Sequence, residues 1–218
     1  MEIKNKHIFW EALILAIFIF ASGVFLGYLL ELNRTNDIIT LYQNSELNLL
    51  DVQLQTDFIA LNNLSCDIAS NYIFSFAEKT YQDARLLEKY DDANKLSRGV
   101  ILQHKKYDLL RARLWLNALD LNDRCGKRFV NVVYFYNYNT KDIETKAKQS
   151  IFSNRLSEIK ASLSDSILLI PIAANLGSDS INYMMAEYNI GSVPAILIDE
   201  KTKVETIDQL KNIEQYLK

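Results

Sequence analysis

The run from Ile8 to Leu30, IFWEALILAIFIFASGVFLGYLL, carries a single charge, Glu11, and constrains this chain more than any other feature. As a helix it is roughly 34 Å long, enough to cross a hydrocarbon core of about 30 Å with some tilt. A helix suits lipid because it satisfies its own backbone donors and acceptors. Glu11 lies within a turn of one end, where its carboxylate reaches the headgroups, and Trp10 and Tyr28 fall near the two ends, where amphipathic rings settle. The rival reading is a removable secretory signal. Small residues at Ala21-Ser22-Gly23 suit it, but apolar sequence continues through Val24, Phe25, Leu26, Tyr28, Leu29 and Leu30, whereas a signal's apolar region is shorter and ends in polar sequence. The expectation is therefore an uncleaved single-pass transmembrane helix over 8–30. Lys4 and Lys6 precede it, while Arg34 stands beside Glu31 and Asp37, so the basic bias puts residues 1–7 in the cytoplasm and the C-terminal portion outside.

About 188 residues follow, enough for one or two domains with a sizeable core. A formal net charge of −3 and a pI near 5.5 give no support for nucleic-acid binding, which ordinarily shows a basic face. Cys66 and Cys125 are the only cysteines. Outside the cytoplasm they can form one disulfide, closing a loop of about 60 residues worth roughly 4 kcal/mol on the chain-entropy model. The alternative is two unpaired, partly buried thiols. They are too far apart for a CxxC redox pair, and two His with two scattered Cys provide no metal-ligand spacing, so neither metal nor cofactor is expected.

From Asp37 to about Leu121 the pattern is helical. Leu47, Leu50, Leu54, Phe58 and Leu61 step by three and four residues along one face. A second helix is predicted over about 67–89, with Ala69, Tyr72, Ile73, Phe76 and Tyr81 on one side, and Asp91-Asp92-Ala93-Asn94 reads as a turn. A third, to about Leu119, carries Leu96, Val100, Tyr107, Leu110, Leu114 and Ala118, with His104 expected to face solvent beside Lys105 and Lys106. The segment 31–121 is thus expected to be a helical stalk, hairpin or antiparallel bundle, with the two cysteines at one end of a hairpin. The first helix is free to run straight on from the membrane span. A coiled-coil homo-oligomer along it is compatible with the pattern, although the stripe is short. Asn33-Arg34-Thr35 and Asn63-Leu64-Ser65 match the N-glycosylation pattern, which recurs by chance in an Asn-rich chain.

At Phe129 the period changes. FVNVVYFY over 129–136 is β-branched and aromatic, the composition of a buried strand. Asn137-Tyr138-Asn139-Thr140 reads as a loop, residues 141–162 as a helix, and 167–172 as a second strand with Pro171 near its end. A short helix over 179–188, with Ser178 or Asp179 as its candidate cap, comes next. A strand from Ala195 to Asp199, a polar turn over 200–203, a short strand at Val204 and a helix over 207–217 complete the order β-α-β-α-β-β-α.

That order, with AEYNIGSVPAILIDE in its second half, resembles the thioredoxin fold over residues 129–218. The stretch Tyr188-Asn189-Ile190-Gly191-Ser192-Val193-Pro194 looks like the family's Y-x-V-x-x-(V/I)-P-T motif before the antiparallel hairpin. The resemblance implies that Pro194 is the cis-proline and that Val193 lends its backbone to an extended substrate segment. One departure decides what such a domain can do. The family carries CxxC after the first strand, where a helix N-terminus lowers the thiol pKa and a second thiol resolves the mixed disulfide. Here that region reads Asn137-Tyr138-Asn139-Thr140-Lys141-Asp142, and no cysteine occurs from Gly126 onward. Thiol exchange at the family's usual place lacks its nucleophile. Cys125 precedes the first strand, roughly 25 Å from that loop, and cannot replace it.

No other catalytic constellation stands out, there being no GxSxG, P-loop or HExxH sequence. The fold class expected is therefore mixed: an N-terminal transmembrane helix, a helical bundle or hairpin, and a C-terminal thioredoxin-like domain. The function expected is protein binding or assembly outside the cytoplasm by a membrane-tethered, redox-inactive domain. Its peptide groove would lie beside Val193, Pro194 and Tyr138. Two alternatives remain open: an oxidoreductase using Cys66 and Cys125, and a structural stalk that dimerises.

Overall fold

A computed structural model describes residues 4–62, 65–94 and 98–217. Asn63 and the first three residues, named above for glycosylation and the cytoplasmic N-terminus, lie outside them. The chain divides into two compact units, Met1–Leu41 and Tyr42–Lys218.

Helix α1 runs over Lys4–Asn62. Within it Ile8–Leu32 is long and apolar enough to cross a membrane, and its side chains are not buried by the rest of the protein. No Gly-Pro pair or turn signal interrupts the sequence between Leu30 and Asn62, and no helix break occurs there.

Helices α2 (Cys66–Asn94) and α3 (Arg98–Cys125) follow. Asp91–Asn94, expected as a turn, is the last turn of α2 instead. The run contains neither Gly nor Pro, and Asp and Asn only weakly disfavour a helix that Ala69, Ile73 and Phe76 anchor to the core near its start. Helix α3 reaches Cys125, six residues beyond the expected end, because Leu121 still faces the core. Gly126, at φ 69°, then adopts the left-handed conformation that commonly ends helices.

The remaining elements are β1 (Val130–Tyr136), α4 (Ile143–Leu163), β2 (Ile167–Ala173), α5 (Asp179–Glu187), β3 (Ala195–Ile198), β4 (Thr202–Val204) and α6 (Ile207–Lys211). The expected terminal helix is shorter than the sequence suggests, because 3₁₀ geometry replaces it over Ile213–Tyr216. The sheet is small and mixed, in the order β2-β1-β3-β4. β1 pairs parallel with β2 and antiparallel with β3, and β3 pairs antiparallel with β4.

Period-two alternation divides the sheet into two apolar faces. Val133, Phe135, Leu168, Ile170, Ile172, Ala195 and Leu197 point to one, where Ala69, Ile73 and Phe76 of α2, Trp115, Ala118 and Leu121 of α3, and Ile181 of α5 cover them. Val132, Tyr134, Ile167, Ile196, Ile198 and Val204 point to the other, beneath Phe152, Leu156 and Ile159 of α4 and Leu210 of α6. Helices α2 and α3, expected in a stalk or bundle, thus join α5 in covering one face of the sheet. Cys66, the first residue of α2, and Cys125, the last of α3, form a disulfide with Cα atoms 5.6 Å apart. It fastens the two covering helices at one end, as their positions in the sequence suggest. Beside it Arg128 pairs with Asp67 at 2.9 Å, and the Phe74 and Phe129 rings meet edge-on at 5.0 Å.

Candidate functional site

β1 delivers Asn137–Asp142 to the C-terminal end of the parallel pair, where the chain turns into α4. Two carboxamides hold this loop. The Gln149 side chain, one and a half turns into α4, accepts from Asn137 N–H at 2.7 Å and donates to its carbonyl at 3.1 Å. Asn175, just past β2, accepts from Tyr138 N–H at 2.7 Å and donates to its carbonyl at 2.9 Å. A carboxamide carries one acceptor and one donor group side by side, as a neighbouring strand's peptide would, so each closes a two-bond ring on one residue's backbone. All four backbone groups of Asn137 and Tyr138 are satisfied in this way.

Asp142 then caps α4 by accepting from Thr145 N–H at 2.9 Å. Hydrogen bonds from Thr145 hold this carboxyl below its ordinary range. The helix N-terminus, which stabilises a thiolate in a redox enzyme, here stabilises a carboxylate of the chain itself.

The Tyr138 ring lies on His104, with centroids 4.2 Å apart. His104, expected to face solvent, is buried. Lys105 beside it donates to the Gly177 carbonyl, so α3 touches both loops at this end of the sheet. One turn further along α3, Asp108 and Arg111 form a buried ion pair at 3.4 Å. Arg111 also donates to the Pro171 carbonyl at 2.9 Å and lies over the Tyr107 ring at 4.0 Å. Burial pushes the Asp108 carboxyl up to about 6, against the pull of Arg111, the Ala173 N–H and His104. Burial also opposes the charge on Arg111, yet Tyr107, Tyr136 and Asp108 together hold its pKa above the ordinary value. Because β2 is an edge strand, its outward backbone groups would otherwise be an open template for another strand. Arg111 closes this edge at Pro171, and Lys160 does so at the Ile167 carbonyl at 3.2 Å.

Across the sheet, Ala195 is the register partner of Phe135, so Val193-Pro194 and Tyr138 belong to the same end of the sheet. The Val193–Pro194 peptide is cis. Pro194 is buried, and Val193 packs partly against the face covered by α2, α3 and α5. The three residues singled out for a groove are thus gathered at one end, although the Tyr138 ring turns toward α3 and His104. The cysteine pair belongs to the other end, since Cys125 leads through Gly126 into the start of β1. A broad concavity of about 610 Å³ also opens there, lined in part by Lys127, Arg128, Ser164 and Leu217. Both cations are already paired, Arg128 with Asp67 and Lys127 with Asp199, and the hollow lies far from Tyr138 and Pro194. Among the described residues no group of three or more His, Cys, Asp or Glu side chains could hold a metal.

Sequence reasoning passes over Gln149, Asn175, Asp108 and Arg111, and it places His104 in solvent. Nothing in the one-dimensional pattern separates them from solvated helix positions, because their partners come from other elements.

The site therefore sits on a mixed α/β domain closed by one disulfide, in a chain that also carries an apolar helix of membrane-spanning length. No protein-family model, curated protein or solved structure matches this chain.

Proposed function

We propose that this chain is a single-pass membrane protein whose C-terminal domain is thioredoxin-like, lacks the reactive thiols, and serves protein binding or assembly outside the cytoplasm. The observation that carries the reading is the loop after β1. It is kept as a defined structure by Gln149 and Asn175, and it opens onto a capped helix, yet it holds Asn137–Asp142 where thiol chemistry needs cysteines. The strand order β2-β1-β3-β4, with β3 following a cis Val193–Pro194 peptide, supports the thioredoxin-like part. The apolar helix Ile8–Leu32 supports the tether, and the lysines before it support an external domain.

On this reading an extended segment of a partner lies along the exposed backbone beside Val193 and across the loop at Asn139–Lys141. The β2 edge is not available for strand addition at Pro171, where Arg111 already occupies the carbonyl. A photoreactive residue placed at exposed Lys141, in the full chain in its own membrane, tests this. The expected result is a discrete adduct that Val193→Asp weakens several-fold, while a probe at exposed Tyr216 yields none. Equal labelling from both positions, or an adduct insensitive to Val193→Asp and Tyr138→Ala alike, removes the groove.

A further inference from the structure

Two helical faces in the Tyr42–Lys218 unit are exposed, apolar and opposite in charge. On α1, Leu47, Leu50 and Leu54 step by three and four residues along one side and are 63%, 46% and 68% exposed. Leucines at that spacing ordinarily form a buried seam. On α3, Leu102, Leu109 and Leu116 recur every seven residues on the side away from buried Trp115 and Ala118, and are 67%, 38% and 50% exposed. At 100° per residue, Lys106 and Arg113 fall about 50° from that line. The α3 face therefore reads Leu102, Lys106, Leu109, Arg113, Leu116.

The surrounding charge differs in sign. Residues 42–62 of α1 contain three acids, Glu46, Asp51 and Asp57, and no Lys or Arg, and Asp51 stands one turn from both Leu47 and Leu54. Residues 98–116 contain five Lys or Arg and one acid; Arg111 and Asp108 are both buried and paired with each other, which leaves Arg98, Lys105, Lys106 and Arg113.

We propose that the two faces meet between two copies of this chain, the acidic leucine stripe of α1 in one packing on the basic leucine stripe of α3 in the other. Within one chain both stripes are exposed, so a second copy supplies the cover. Pairing α1 with α1 sets acidic segment against acidic segment, and pairing α3 with α3 sets basic against basic. Like charges placed across an interface disfavour association, and only the crossed pairing joins opposite potentials. Seven-residue spacing on α3 and three-four spacing on α1 let the leucines interleave as knobs and holes, with Asp51 near Lys106 or Arg113. A two-fold axis makes the contact twice, α1 of each copy lying on α3 of the other, and closes the assembly as a dimer. This inference is independent of the groove beside Val193.

Cysteine trapping in the full chain, in a mild detergent or in lipid nanodiscs, tests it directly. Leu50→Cys and Leu109→Cys variants carrying different affinity tags are mixed and oxidised under conditions that leave the native Cys66–Cys125 bond intact. A mixed dimer joining the two tags is expected, with little product from either variant alone. Arg113→Glu should lower the trapped fraction several-fold, and adding Asp51→Lys to its partner should restore it. A homotypic Leu50→Cys dimer would replace the crossed interface with a parallel α1 seam. Monomer alone, including an internally bridged Leu50→Cys/Leu109→Cys chain, would likewise overturn the proposal, as would trapping that ignores both charge reversals.

Discussion

Asp108 and Arg111 show how one pair of residues serves a strand edge. From α3 on the sheet's face, a guanidinium reaching the Pro171 carbonyl does what a neighbouring strand's N–H would do. A buried ion pair is a weak source of stability, because desolvation of both charges offsets their attraction. Its value here is in closing the β2 edge. The balance leaves a trace in pH dependence. Burial raises the folded Asp108 carboxyl from 3.8 to about 6, so the folded state holds this proton more tightly than the unfolded chain does. The stabilisation linked to that proton is fully present below the unfolded value of 3.8 and is lost as pH rises through about 6. The difference corresponds to about 3 kcal/mol at most, at 1.36 kcal/mol per pH unit. Thermal unfolding of the full chain in detergent should show this group contributing more stability at pH 5 than at pH 7.5. Asp108→Asn should flatten that part of the profile, and an unchanged slope in the variant would mean that other groups set it.

At the scale of elements, the loop between β1 and α4 is held by side chains that mimic peptides. Gln149→Ala or Asn175→Ala strips one residue of both its backbone partners. An unsatisfied buried polar group costs about 1–3 kcal/mol, less where water reaches it, so the smaller figure is expected at this part-exposed site. Hydrogen exchange should speed up at Asn137 in the first variant and at Tyr138 in the second, with β1 itself still protected. Protection that stays equal at both amides would show that the loop does not depend on the carboxamides. The sheet's faces were readable in advance, because Val132 and Val133 alternate in a run of β-branched and aromatic residues. The loop's partners were not, since Gln149 and Asn175 lie 12 and 37 residues away from the groups they bind.

At the scale of the whole molecule, the Cys66–Cys125 bond ties the start of α2 to the end of α3, the two helices that cover one face of the sheet. Closing a loop of about 60 residues is worth roughly 4 kcal/mol by the entropic model. The Cys66→Ser/Cys125→Ser variant should unfold at a lower denaturant concentration, with a loss of stability of that order. An impermeant thiol reagent should label the wild type on the outer side of the membrane only after reduction. Labelling without reduction, or from the cytoplasmic side alone, would contradict both the staple and the proposed orientation.

What the amino-acid sequence determined by itself is everything carried by local pattern. An apolar run longer than a bilayer is thick, three helical stretches, alternating strands and their order all depend on neighbours within a few residues, and all are visible in one dimension. The end of α2 was misread because Asp91–Asn94 has weak local preferences, which packing elsewhere on that helix overrides. Only the tertiary structure decided that α2 and α3 cover the sheet, that His104 lies under Tyr138, and that Asp108 and Arg111 close an edge. Each depends on a partner tens of residues away, brought close only when the apolar faces leave water together.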